Sequence, residues 1–239
     1  MGFLKISTPN IGPGGRVACL RKLDVILAVD GETFDPNPKS FYLKFQKKNS
    51  APWLITLMRN DVIFDVLVYS PFVAEFAVTG EEETSRTKEL LKLHRFSDWS
   101  AYRNFEVYRD IYKKADLVDT FYNPLTGFIA PLWMLHNRLY MLLLLVLAIY
   151  ATTFFANVYI FGFTVILIAM YTQRAQIDLK RAYCKVLNKR LWVVVAASDE
   201  LSVVEKIMGL DENTSVRHFV KNSVRRGVED KNLPRSLNI

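Results

Sequence analysis

The sequence predicts an α+β chain: a small cytoplasmic β-domain, then an α-helical membrane hairpin of two transmembrane helices, then a helical cytoplasmic tail. Three observations predict it. Residues 24–68 hold three apolar runs punctuated by turn residues. The residues between Arg138 and Arg174 carry no charge at all. Basic side chains crowd the C-terminal flank of that run. The boundaries fall at 1–72 for the β-domain, 73–122 for a charged linker and aromatic helix, 123–174 for the membrane segment, and 175–239 for the tail.

The β-domain reads from its local patterns. Asp24 to Gly31 is an apolar strand closed by a glycine turn. Trp53 to Met58 is a second strand, Arg59-Asn60-Asp61 a turn, and Val62 to Val68 a third strand. Pro38 to Lys48 predicts a short helix, with proline in the first turn where its missing N–H costs nothing.

The run Gly15 to Gly31, with Leu20-Arg21-Lys22-Leu23-Asp24-Val25-Ile26 at its centre, resembles the core signature of PDZ domains. The pair Leu54–Arg59 and Ile63–Val68 is similar to the closing strands of bacterial members. The resemblance implies a peptide groove. Met1, Gly2 and Phe3 would form the carboxylate-binding loop, Leu4 and Ile6 the strand beside which a peptide adds, and Phe41 and Phe45 the facing helix. A degenerate domain used only for packing stays open beside peptide capture.

Length arithmetic shapes the membrane reading. Leu139 to Gln173 as one helix would be about 52 Å long at 1.5 Å per residue. The hydrocarbon core is about 30 Å thick. Two shorter helices fit better, near 132–154 and 158–174, the first borrowing Leu132 to Leu135. The turn falls at Ala156-Asn157. No Asp, Glu, Lys or Arg lies within, which suits an anchor or docking surface better than a pathway.

Charge supplies orientation. Residues 1–138 carry 18 Lys/Arg against 16 Asp/Glu, and residues 174–239 carry 13 against 8, so the surplus sits beside the apolar run. An anionic headgroup surface explains it more simply than nucleic acid. The positive-inside rule places both termini in the cytoplasm of a multi-pass protein. Trp99, Trp133, Arg138, Tyr140, Arg174, Lys180 and Arg181 are the expected interface anchors. The ladder Phe96, Trp99, Tyr102, Phe105, Tyr108, Tyr112 reads as an interfacial helix.

Phe121-Tyr122-Asn123-Pro124 and Gly127 to Tyr140 are loosely similar to the lead-in of a family of small bacterial inner-membrane proteins of unknown function. That resemblance implies a bacterial cytoplasmic membrane. Beyond the hairpin, a basic helix to Leu191, a helix from Glu200 to Met208 capped by Ser198-Asp199, and a short helix from Val216 to Asn222 complete the expected tail.

No catalytic motif is present: no His-Glu-x-x-His, Gly-x-Ser-x-Gly or phosphate loop. Cys19 and Cys184 stand apart, and no metal or cofactor is expected. The expected function is a non-catalytic membrane-anchored scaffold or accessory subunit of a larger membrane protein complex. The alternative is an adaptor that captures C-terminal peptides for assembly or quality control. A transporter built from oligomerised hairpins is the third reading.

Overall fold

A computed structural model of the protein describes residues 2–8, 15, 17–47, 52–70, 72, 74–94, 100, 102–122 and 129–216. The chain divides into a sheet unit, residues 1–119 with 190–239, and a helical unit inserted within it, residues 120–189.

The sheet unit begins with β1 (Leu4–Ile6), β2 (Val25–Val29), α1 (Pro38–Lys47), β3 (Trp53–Arg59), β4 (Val62–Val68), β5 (Phe76–Val78) and α2 (Glu81–Leu93). Local chemistry explains several of these. Asn37 Oδ1 accepts the Lys39 N–H at 2.9 Å and so starts α1, with Pro38 in its first turn. Asn60 and Asp61 take left-handed φ values of 49° and 63°. That pair makes a two-residue hairpin loop whose twist matches the strands it joins. Glu81, Glu82 and Glu83 place negative charge at the positive end of α2.

After the first half come β6 (Arg103–Arg109) and β7 (Lys114–Asp119). The chain then passes through the insert and returns as β8 (Arg190–Ala197), followed by a C-terminal helix (Glu200–Leu210, called α6 below) and β9 (Ser215–Val216). Asp199 caps that helix by accepting the Ser202 N–H at 2.8 Å.

All nine strands form one sheet, in the order β5-β1-β2-β3-β4-β8-β6-β7-β9. Among the described residues only β7 and β9 pair in parallel. β8 follows β6 along nearly its whole length, with one register shift between Val107 and Tyr108. It meets β4 at the single register pair Asp65↔Ala196. One core runs beneath the sheet, from Leu4, Ile6, Phe41 and Phe64 to Phe105, Val107, Val195, Val203 and Ile207.

The helical unit holds α3 (Ala130–His136), α4 (Tyr140–Ala156) and α5 (Val158–Val186). Ala130, Met134, Leu139 and Val146 are its buried centre. Asn157 separates α4 from α5 and caps the latter, its Oδ1 accepting the Tyr159 N–H at 2.8 Å.

These facts correct the expected fold in four places. The chain is a mixed α/β fold, with nine strands and six helices among the described residues. Residues 1–72 are no self-standing β-domain, because β4 runs on through β8 into β6, β7 and β9. The expected hairpin of two transmembrane helices is replaced by one helix, α5, long and apolar enough to cross a membrane. The tail is no helical appendage, because its apolar run at 192–197 is β8, an interior strand.

The hairpin reading fails for a physical reason. Leu132 to Leu135 cannot lengthen the first span, because they belong to α3. Asn137 ends α3, and Arg138 turns the chain with a left-handed φ of 57°. The 17 residues left to α4 reach only about 25 Å. The aromatic ladder also changes. Phe105 and Tyr108 lie in strand β6 and are buried, Tyr112 is exposed in the following turn, and Phe96 lies outside the described residues. The expected helix at 216–222 falls almost wholly outside them too; its first residue, Val216, ends β9.

Candidate functional site

The residues expected to form a peptide groove separate into two groups. Leu4 and Ile6 are fully buried, and β1 is hydrogen-bonded to β2 on one side and β5 on the other. Strand addition beside β1 therefore has no free edge. Phe41 is fully buried too, with Phe76, Phe34 and Phe72 rings at 5.2, 5.6 and 5.7 Å. Gly2 and Phe3 instead line a cavity of about 500 Å³ with Thr33, Phe34, Asp35, Ser40, Lys88 and Leu91. A Cβ at Gly2 would come within 2.6 Å of Val78 Cγ1, so a larger residue there requires the exposed Val78 side chain to move. Met1 lies outside the described residues, as does the side chain of Phe45.

The expected interface anchors partly converge. The Lys180 ammonium sits 5.7 Å from the centre of the Trp133 ring, joining α5 to α3. Arg181 pairs with Asp178 one turn away at 3.1 Å. Arg174, Arg138 and Tyr140 are exposed, and Trp99 lies outside the described residues. The basic residues Arg109 and Lys113 serve elsewhere: both bind Asp211 in the sheet unit, at 2.8 and 3.0 Å.

A polar site lies where β4 meets β8. There Asp65, His94, Tyr102, Val195, Ala196, Ala197, Ser198, Ser202, Glu205 and Lys206 surround a cavity of about 300 Å³. β4 supplies Asp65, the end of α2 supplies His94, and α6 turns Ser202, Glu205 and Lys206 toward it at helical spacing. Asp65 Oδ1 accepts the buried Thr56 hydroxyl at 2.7 Å. Its Oδ2 lies 3.7 Å from His94 Nε2. Burial pushes the Asp65 carboxyl up, against the Thr56 hydrogen bond and the nearby His94 and Lys206. Burial also lowers His94, against the pull of Asp65.

Sequence reasoning passed over this site because His94 stands alone in the chain and the acids look scattered. One signal was available. Asp65 interrupts an otherwise apolar strand, Val62 to Val68, and a carboxylate there needs a local reason. Among the described residues no group of three or more His, Cys, Asp or Glu could hold a metal ion. The chain matches no protein-family model, no curated protein and no solved structure.

Proposed function

We propose that this chain is a membrane-anchored, non-catalytic accessory subunit of a larger membrane protein complex, with the sheet unit as its docking domain. The observation that carries the reading is the exposure of the helical unit. Of the apolar stretch of α5, whose mean hydropathy is 1.4, only 6% is buried. A core helix of a soluble domain would bury that surface. In α4, Met141, Leu144 and Phe155 add further exposed apolar area. Lipid, or the apolar helices of a partner in lipid, removes it from water.

Two further features support the reading. Arg174, Lys180, Arg181 and Lys185 follow the apolar part of α5, as expected where a helix enters anionic headgroups on the cytoplasmic side. The chain also leaves the sheet after Asp119 and re-enters it at Arg190. Residues on both sides of the insert therefore build the same docking domain.

The test is fractionation followed by mild-detergent purification. The wild type is expected to resist alkaline extraction and to co-purify with an integral membrane partner. Replacing Ile166 and Leu167 with lysine should release it. A wild-type chain recovered from the soluble fraction, or a lone monomer in mild detergent, would overturn the proposal.

The adaptor reading survives in altered form. β5, not β1, is the outermost strand on that side of the sheet. The backbones of Glu75 and Thr79 already bond to the β1 side. By antiparallel alternation the outward donors of β5 fall on Phe76 and Val78. If β5 receives a peptide strand, Val78→Pro abolishes peptide-array binding by the full chain. Binding unchanged by that substitution removes the adaptor reading.

A further inference from the structure

The cavity at the β4–β8 junction is lined by acidic and basic side chains, Asp65 and Glu205 with His94 and Lys206, and Asp65 approaches His94 only to 3.7 Å. Asp65 is 7% exposed. One of its oxygens is satisfied by Thr56, while the nearest basic nitrogen to the other is 3.7 Å away, beyond hydrogen-bonding distance. Lys206 lines the same space and acts electrostatically on both Asp65 and His94. Among the described residues it forms no hydrogen bond and no ion pair within 4 Å. Asp65 has lost water without gaining a basic partner at hydrogen-bonding distance, which is costly for a carboxylate.

The occupant that removes this cost must carry both signs. A simple anion would meet Lys206 but also face Asp65. A simple cation would meet Asp65 but also face Lys206. About 300 Å³ is at the small end of ligand sites. Tyr102 and the end of β8 from Val195 to Ala197 form an apolar stretch of wall that suits a short side chain, while Ser198, Ser202 and Glu205 make the rest polar.

We propose that this cavity binds a small zwitterion of the α-amino acid class, with its ammonium on Asp65 Oδ2 and its carboxylate on Lys206. Tyr102 and the β8 end flank its side chain. Thr56 acts as a positioning residue, fixing Asp65 so that Oδ2 faces the cavity. Burial resists ionisation of Asp65 while the site is empty, and an arriving ammonium supplies the counter-charge. The inference does not depend on the membrane reading, since the cavity belongs wholly to the sheet unit.

Isothermal titration of the full chain in mild detergent tests it, with glycine, L-alanine, L-valine and L-leucine as probes. For the tightest of these, the methyl ester presents only the cation and the deaminated acid only the anion. The expected result is saturable one-to-one binding of at least one amino acid, at least tenfold tighter than either one-charge analogue. Asp65→Asn should weaken binding at least tenfold. Lys206→Gln should erase the preference for the amino acid over its methyl ester. The proposal is overturned if no amino acid binds, if an analogue binds as tightly, or if both variants behave as wild type. Should Asp65→Asn fail to fold, Lys206→Gln, on the half-exposed side of the cavity, decides alone.

Discussion

The side chain of Asn104 makes with Leu67 the two hydrogen bonds that a neighbouring strand would make. Its Oδ1 accepts the Leu67 N–H at 3.0 Å, and its Nδ2 donates to the Leu67 carbonyl at 2.7 Å. β8 meets β4 only at Asp65↔Ala196, so Leu67, paired with Leu54 of β3 on its other side, lies beyond the reach of pairing with β8. A side-chain amide on β6 fills the gap. Asn104→Ala leaves a buried donor and a buried acceptor unmade, each costing roughly 1–3 kcal/mol. The expected outcome is a fall in unfolding free energy of about 3 kcal/mol in denaturant titration, with faster hydrogen exchange at Leu67. Exchange at Leu67 unchanged from wild type would show that the amide does not hold the strand.

A second prediction concerns Asp24 and Arg59. Asp24 is 1% exposed, and its two oxygens accept Arg59 Nε and Nη2, each at 2.7 Å. Asp24 also accepts the Arg21 N–H, and Arg59 donates to the Cys19 carbonyl at 3.0 Å. Removing one partner strands the other in low dielectric. Arg59→Met is expected to destabilise the sheet unit by about 3–5 kcal/mol. The double variant Asp24→Leu with Arg59→Met should recover part of the loss. A double-mutant cycle in denaturant measures the coupling.

Acid sensitivity should trace in part to Asp211. The Lys113 ammonium, the Asn213 N–H and Arg109 hold its carboxyl below the usual carboxylate range, against a smaller opposing effect of burial. A carboxyl lowered on folding contributes stability above its unfolded value, and that contribution is lost as pH falls through the folded value. Asp211→Asn should therefore flatten the acid limb of the stability profile while changing the neutral plateau in the destabilising direction. Equal slopes for variant and wild type below pH 5 would refute the assignment.

The N-terminus of α6 offers a smaller effect. Asp199 accepts the Ser202 N–H and also takes hydrogen bonds from the Ser198 and Ser202 hydroxyls, each at 3.1 Å. Asp199→Ala should cost about 1 kcal/mol, and Asp199→Ser much less. Thermal denaturation of the two variants side by side separates capping from a general surface effect.

Local chemistry was legible before the structure, and long-range pairing was not. Pro38 marked α1, Asn60-Asp61 marked the β3–β4 turn, and Ser198-Asp199 marked the start of α6. Each is a signal contained within a few residues. The place of β8 was invisible, because Trp192 to Ala197 reads as an apolar run whatever it pairs with, and its partner β6 lies some eighty residues earlier. Aromatic residues three apart in Phe105 and Tyr108 suggested a helix, but β6 is buried on both faces from Asn104 to Tyr108, so residues on opposite faces of the strand are both covered. The break after α3 depends on a left-handed Arg138, a conformation that composition does not announce. The junction cavity assembles side chains from β4, α2, β8 and α6, so no spacing in the chain reveals it.

The position of β8 sets an order of manufacture. Its slot lies between β4 and β6, both of which leave the ribosome before the insert of residues 120–189 does. At about 5–20 residues per second, those roughly seventy residues take several seconds to emerge. During that interval the nascent chain lacks β8 and β9, and the β4 and β6 edges that β8 will join are open to mispairing. Asp65, standing in the middle of the β4 edge, is the kind of inward charge that discourages a foreign strand from settling there. β8 and β9 arrive only once the apolar insert has been made, so completion of the sheet waits on the whole of it.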